Sequence, residues 1–166
     1  IGARWELGMW IRHVVLNWSD PPSSLRRTVL VGRPKKGSGV AMASFRPLDD
    51  PRAVLAELLR LYWLGHRHPL PLFPETSRVY AQAIAKAGGA DQRAKALELA
   101  HKEFEGWSGS SMPAEANDPD VRQIYGDDDP LDPAFHPFTT DSEDTASFEN
   151  LALAVFGPLL AHLEET

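Results

Sequence analysis

The amino-acid sequence predicts an α/β fold of the α+β type, in which helices outnumber strands. Apolar residues recur at helical spacing in five segments, and two short apolar runs flank a glycine-rich turn. With 43% hydrophobic and 24% charged residues, the 166-residue chain has the composition of an ordinary globular protein. That length suits one domain, 1–166. Because the chain opens Ile1-Gly2-Ala3, without an initiator Met or a signal-peptide pattern, we expect it to be a fragment of a longer protein.

The first third of the chain predicts a helix followed by a β-hairpin. Residues 4–18 carry six apolar side chains at helical spacing, namely Leu7, Trp10, Ile11, Val14, Val15 and Trp18. Pro21 and Pro22 end this helix because proline lacks the amide proton that a helix needs. Residues 28–31 and 40–45 predict two strands that the glycine-rich, basic turn between them joins.

Four more helices are predicted in the rest of the chain. They cover residues 51–65, 76–87, 91–105 and 145–164, and the last is expected to bend at Gly157-Pro158. The proline-rich stretch 69–74 is expected to be extended, and 106–143 a long acidic loop rich in Gly and Pro. Four tryptophans fall at apolar helical positions and are expected in the core: Trp5, Trp10, Trp18 and Trp63.

Charge is divided unevenly along the chain. Residues 1–97 hold 15 Lys/Arg against 7 Asp/Glu, a net charge of +8, whereas 98–166 hold 2 against 16, a net charge of −14. A basic half can meet phosphates and an acidic half repels them. Alternatively, the two halves fold against each other and partly cancel, or each meets a protein partner.

The sequence lacks the motifs of several enzyme classes. It has no cysteine, which excludes disulfides, thiolate zinc sites and cysteine nucleophiles. A metal-dependent nuclease of the Asp/Glu-x-Lys type needs carboxylates and a lysine to hold Mg²⁺ and orient water, and no such triplet occurs. The P-loop and Gly-x-Ser-x-Gly patterns are also absent. We therefore predict no catalytic residue, no metal ligand and no cofactor.

The basic turn is the strongest candidate for a binding site. We assign DNA contacts to Arg33, Lys35, Lys36 and Arg46, from charge and turn geometry; the alternative is a solvated hairpin tip. His66 and His68 have no further ligands nearby at a metal-binding spacing. The run Asp127-Asp128-Asp129, with Asp132, lacks the EF-hand spacing and is more simply a solvated loop.

One segment resembles a known family. The sequence Leu55-Ala-Glu-Leu-Leu-Arg-Leu-Tyr-Trp-Leu-Gly-His-Arg-His-Pro-Leu-Pro-Leu-Phe-Pro-Glu-Thr-Ser77 resembles the carboxyl-terminal region of the RecC family, the gamma subunits of exodeoxyribonuclease V. Residues 9–16 and 148–160 resemble flanking helices of the same family, in the same order. The resemblance covers most of the chain, although only residues 55–77 are distinctive.

The resemblance implies a fold similar to PD-(D/E)XK nucleases, a small mixed sheet flanked by helices, with a degenerate active site. It implies a structural domain near the point where duplex DNA is split. Its partners would be RecB-like and RecD-like helicase subunits and double-stranded or forked DNA, with no membrane, in the cytoplasm. The domain would not be an enzyme by itself. ATP hydrolysis and cleavage would belong to other subunits of an ATP-dependent helicase–nuclease complex that processes DNA ends for recombinational repair.

Two alternatives stay open beside this interpretation. The chain could be a protein-docking module for helicase subunits without DNA contact. It could also be a degenerate but active metal-dependent nuclease that draws carboxylates from Asp20, Asp49 or Glu75.

Overall fold

The computed structural model describes residues 1–34, 37–86, 91–106, 114–135 and 146–165. Within these ranges it contains two 3-10 turns, Ser23–Leu25 and Glu115–Asn117. It also contains these helices and strands: α1 Ala3–Trp18, β1 Thr28–Gly32, β2 Ala41–Phe45, α2 Pro51–Gly65, α3 Pro74–Lys86, α4 Gln92–Glu105, α5 Pro119–Tyr125, α6 Phe148–His162 and β3 Leu163–Glu165. The predicted α/β class is confirmed. No helix in the described ranges is long and apolar enough to cross a membrane.

The sheet has the order β1-β2-β3 and every pairing in it is antiparallel. β1 lies against β2 from the Thr28–Phe45 pair to the Gly32–Ala41 pair, which confirms the predicted hairpin. The prediction of a mixed sheet is wrong for the part of the chain that the structure describes. A short turn can join only antiparallel neighbours, and β3 also runs antiparallel to β2.

The prediction for the carboxyl-terminal residues is also wrong, because they form a strand. The apolar pattern predicts a helix to residue 164, but α6 ends at His162 and the next three residues form β3. Arg46 donates its backbone N–H to the carbonyl oxygen of His162 at 2.9 Å, and Leu163 pairs with Phe45. The free edge of β2 therefore competes successfully with a last helical turn for the backbone of 163–165.

The chain divides into two compact units. The first unit comprises residues 1–63 and 158–166, and the second comprises 64–157. By sequence the first unit holds 10 Lys/Arg and 7 Asp/Glu, a net charge of +3, and the second holds 7 and 16, a net charge of −9. The basic character therefore belongs to the unit that contains the hairpin.

In the first unit, α1 packs on the inner face of the sheet. Trp10 is fully buried and meets Phe45 edge-to-face, with ring centroids 5.3 Å apart. Leu30 and Ala43 alternate with outward-facing neighbours and complete this buried layer. The prediction of four core tryptophans holds only for Trp10.

The other three predicted core tryptophans lie on the surface. Trp5 is 76% exposed, Trp18 56% and Trp63 65%, while Trp107 lies outside the described residues. The prediction fails for Trp18 because a different face of α1 points inward. The buried residues of this helix are Ala3, Glu6, Trp10, His13, Val14 and Asn17. Three polar side chains therefore occupy positions that hydrophobicity alone would give to apolar ones.

The second unit has a core of helices with an aromatic centre. The Phe73 ring lies 4.8 Å from that of Phe104 and 5.8 Å from that of Tyr125. The buried cluster also contains Tyr80, Ala96, Ala100, Leu131, Phe148 and Ala152. Residues 69–73 have no helical structure, as predicted, but α3 begins at Pro74, two residues before the predicted start.

Part of the predicted long loop is ordered by local caps. α5 lies within 106–143 and begins where Asp118 accepts a hydrogen bond from the Asp120 N–H at 2.9 Å. Asp129 accepts from the N–H of Leu131 at 2.9 Å, and Leu131 is fully buried. Such capping acids are common in turns, which is why composition alone suggested an irregular acidic loop.

Candidate functional site

The hairpin tip presents one described basic residue, Arg33, to solvent. Arg33 follows β1 directly and is exposed. Gly37 and Gly39 adopt φ values of +84° and +116°, which residues with a Cβ rarely adopt, and both lie in open space. Lys35 and Lys36, the other predicted contacts in this turn, lie outside the described residues.

Arg46 lies at the opposite end of the hairpin. Since Gly32 pairs with Ala41 and Thr28 pairs with Phe45, Arg33 and Arg46 leave the ladder at different ends. Arg46 is level with residue 27 of the first strand, six residues from Arg33, so at about 3.3 Å per residue the two lie roughly 20 Å apart along the strands. The structure therefore does not gather Arg33 and Arg46 into one site.

Arg46 is already engaged within the first unit. Its guanidinium donates to the carbonyl oxygen of Ala161 at 2.5 Å and lies 3.5 Å from the Glu164 carboxylate. Glu164 also forms an ion pair with Arg27, which donates to the Ser44 hydroxyl at 3.1 Å. These contacts attach the carboxyl-terminal strand to β2, so Arg46 has a structural role that its charge did not indicate.

Beneath the hairpin, two buried polar residues of α1 bind the backbone around the strands. His13 donates from Nε2 to the carbonyl oxygen of Arg46 at 2.9 Å, and its Nδ1 lies 2.8 Å from the Thr28 hydroxyl. Because a carbonyl only accepts, the neutral ring carries its proton on Nε2 and accepts from Thr28. Burial lowers the pKa of His13, while the bond to Arg46 opposes that shift.

Asn17 extends this network one turn further along α1. Its amide Nδ2 donates to the carbonyl oxygens of His13 and Arg26, both at 3.0 Å, and its Oδ1 accepts from the Leu48 N–H at 3.3 Å. We call His13 and Asn17 with these partners the α1 polar network. It satisfies backbone groups on both sides of the hairpin and fixes the rotation of α1 about its axis.

The three carboxylates considered for an active nuclease do not form a described cluster. Asp20 forms an ion pair with Arg26, and Asp49 is exposed. Glu75 belongs to α3 in the second unit, where its backbone N–H donates to Glu115. In the ranges that the structure describes, no group of three or more His, Asp or Glu residues is arranged to hold a metal ion.

A buried carboxylate in the second unit was not predicted. Glu149, at the start of α6, accepts a hydrogen bond from the Tyr80 hydroxyl at 3.0 Å and from Arg93 Nε at 2.9 Å. The Arg93 hydrogen bond lowers the pKa of Glu149, and burial together with the adjacent carboxylate raises the pKa of Tyr80 to about 12. Each polar group has a partner, which is the arrangement of a structural ion pair.

A second carboxylate stabilises the beginning of α3. Glu115 accepts hydrogen bonds from the N–H groups of Glu75 and Thr76 at 3.2 and 2.9 Å, and from the Thr76 hydroxyl at 2.7 Å. A negative charge there also interacts favourably with the helix dipole. Sequence reasoning missed Glu115 because it lies 39 residues from the helix that it caps.

The side chains of this candidate site form an internal set and an exposed set. The described polar groups form helix caps, ion pairs and an internal network. The surface carries the exposed Arg33 at the hairpin tip and several exposed apolar side chains. The predicted binding residues are confirmed neither as a cluster nor as a contact surface.

Comparisons with known proteins then identify the family. The sequence model of the RecC C-terminal domain matches residues 1–85. A protein of Mycobacterium tuberculosis described as RecBCD enzyme subunit RecC is 42% identical over 77 residues, which is 46% of this chain and 7% of that protein. A protein of the same description from Mycolicibacterium smegmatis is 34% identical over 96 residues, 58% of this chain and 9% of its own.

The chain belongs to the RecC C-terminal domain family, since the family match covers half of its length. The resemblance found at residues 55–77 is thereby confirmed. The matched region spans less than a tenth of the length of the curated relatives.

Proposed function

We propose that this chain is a non-catalytic, DNA-contacting domain of an exodeoxyribonuclease V gamma subunit. It would support the unwinding and processing of double-strand DNA ends in a complex with RecB-like and RecD-like helicase subunits. Family membership carries this proposal, because the matched relatives are described as RecC subunits of the RecBCD enzyme. A single domain, 1–166, would provide this function.

The hairpin tip is the proposed DNA surface. Arg33 is exposed, and Lys35 and Lys36 follow it within the same turn, so three cationic side chains lie within four residues. Cationic side chains on a projecting turn attract phosphates without reading sequence. Arg46 enters this proposal as a weaker contact, because its guanidinium already pairs with Glu164 and the Ala161 carbonyl.

The proposed core is nuclease-like but inactive. The sequence contains no Asp/Glu-x-Lys triplet, the arrangement that would hold Mg²⁺ beside a strand. β3 brings the Glu164 carboxylate to the sheet, but Arg27 and Arg46 neutralise it. These observations support a domain that contacts DNA and leaves cleavage to other subunits.

A docking module without DNA contact is the second candidate. Its support is the set of large apolar side chains exposed on the first unit, including Trp5, Trp18 and Trp63. In this alternative the basic tip is a solvated turn. The two candidates differ in one measurable property, the salt dependence of DNA binding by the assembled complex.

The test uses the full-length protein in complex with its helicase subunits. Anisotropy of a labelled forked duplex is measured across a salt series with Mn²⁺ present, for wild type and Arg33→Ala. Each lost phosphate contact reduces the slope of log K against log salt by about 0.9. We expect such a reduction for Arg33→Ala and a larger one for Lys35→Glu with Lys36→Glu.

Arg52→Ala is the matched control, since Arg52 is an exposed arginine of the same unit on α2. Unchanged slopes in both hairpin variants would reject DNA contact and favour the docking module. Mn²⁺-dependent cleavage lost on changing Asp20, Asp49 or Glu75 would reject the non-catalytic assignment.

A further inference from the structure

The outward side of α1 has an unusual composition. Its exposed residues are Arg4, Trp5, Ile11, Arg12, Val15 and Trp18, which we call the α1 outer face. At 100° per residue they occupy an arc of about 140°. No exposed residue of this fully described helix is acidic or neutral polar, since Glu6 is buried. A helix that met only water would carry charged and neutral polar residues here.

The inward side of α1 is correspondingly polar. Glu6, His13 and Asn17 are each at most 3% exposed, on the same side as Trp10 and Val14. The α1 polar network holds His13 and Asn17 there through bonds to Arg46, Arg26 and Leu48. Because these bonds fix the helix rotation, Ile11, Val15 and Trp18 are held toward the outside.

The chemistry of the α1 outer face indicates its ligand. Trp and Arg are the residues that most often dominate binding energy at protein interfaces, and they surround the aliphatic Ile11 and Val15. Arg4 and Arg12 give the face a net positive charge with no carboxylate beside them among its exposed residues. A complementary surface therefore has apolar side chains flanked by carboxylates.

This arrangement favours a protein over single-stranded DNA. Bases stack on aromatic rings at neighbouring positions, yet Trp5 and Trp18 are 13 residues apart, about 20 Å along the helix. Between them lie Ile11 and Val15, which offer no stacking surface, and Gly8, which has no side chain. An ideal Cβ at Gly8 meets only the Arg12 guanidinium, at 3.8 Å, so the centre of the face is open to close approach.

We propose that the α1 outer face docks an acidic, apolar segment of a partner protein, with Trp18, Val15 and Ile11 in the dry centre. The inference rests on the proposed function, under which this partner is one of the helicase subunits. The flanking arginines then pair with carboxylates at the rim, where they select and orient the partner segment.

Gly8 allows a test that separates docking from folding. Gly8→Glu and Gly8→Lys add side chains of similar length at an open position, and both replace a residue that destabilises helices. Full-length protein carrying either change is titrated with each helicase subunit, and assembly is followed by mass photometry. Melting temperatures at or above that of wild type establish that both variants fold.

We expect Gly8→Glu to weaken assembly by about tenfold more than Gly8→Lys, because the added carboxylate repels an acidic segment. Val15→Asp and Val15→Lys form a second pair with the same expected order. Equal assembly by wild type and all four variants would overturn the inference, as would a wild type that binds neither subunit.

Intact assembly with weakened binding of the forked duplex would overturn the inference in favour of DNA on this face. Failure of the proposed DNA contact has a different signature. It appears as unchanged salt slopes in the hairpin variants, whatever the Gly8 variants do.

Discussion

The imidazole of His13 donates a hydrogen bond from Nε2 to the backbone carbonyl of Arg46 at 2.9 Å. This contact joins α1 to the end of β2, at the residue whose N–H binds the last carbonyl of α6. The backbone of Arg46 thus binds α1 through its carbonyl oxygen and supports the carboxyl-terminal strand through its N–H. Changes at His13 should therefore affect both the hairpin and the carboxyl-terminal strand that pairs with it.

Stability should fall as pH falls through the range in which His13 titrates. Its pKa is lowered in the folded protein, so the unfolded chain binds the proton more readily and stability is lost below about pH 6.5. His13→Gln should be less stable than wild type at about pH 8 and should lose less stability between about pH 7 and pH 5. Urea unfolding at several pH values measures both effects, and parallel curves would contradict the prediction.

Tyr80→Phe should destabilise the second unit by about 1–2 kcal/mol, because it removes a donor from the buried Glu149 carboxylate. Isosteric loss of the hydroxyl leaves the packing of the ring against Phe148 in place. Denaturant unfolding at neutral pH measures the change. Lys86→Ala, at an exposed position near the end of the same helix, is the control and should cost less.

Acid should weaken the same contact. The pKa of Glu149 is lowered in the folded state, chiefly by the Arg93 hydrogen bond. Its stabilising contribution is therefore complete above the carboxylate's unfolded pKa, about 4.3, and is lost as pH falls through the lower folded value. Glu149→Gln should be less stable than wild type at neutral pH, and the difference should shrink below about pH 4. A constant difference across that range would contradict this assignment.

Glu115→Ala should release the first turn of α3 at a cost of about 1–3 kcal/mol, since two backbone amides and the Thr76 hydroxyl lose their acceptor. Hydrogen exchange should accelerate at the amides of Glu75 and Thr76 before it does in the middle of the helix. Glu103→Ala on α4 provides a carboxylate control at another helix. Equal exchange at these two amides in Glu115→Ala and wild type would show that the cap contributes nothing.

Glu164→Gln should strengthen DNA binding by the assembled complex. The carboxylate pairs with both Arg27 and Arg46, and its removal takes a negative charge from the sheet and frees two guanidinium groups. We expect a tighter complex with the forked duplex and a steeper salt slope. Because the pairs are exposed, the stability change should stay within about 1 kcal/mol. Unchanged binding and an unchanged salt slope would indicate that this part of the sheet does not face DNA.

Sequence by itself determined the hairpin, the approximate positions of the five long helices and the family. The spacing of apolar residues and the positions of Pro and Gly are local properties. The helical spacing in 51–65, the prolines at 69–74 and the glycine-rich turn each act over a few residues. The distinctive segment 55–77 carried the family for the same reason. In that segment the order of the residues alone was sufficient to recognise the family.

Tertiary structure decided the rotation of α1, the strand at 163–165 and the partners of the charged groups. Hydrophobicity placed Trp18 inside, but hydrogen bonds from His13 and Asn17 to distant backbone groups outweighed it. Arg46 pairs with Glu164, more than a hundred residues away, and Glu115 caps a helix 39 residues earlier. Such contacts depend on which unsatisfied backbone groups and charges the folded chain brings together, and no local pattern encodes that distance.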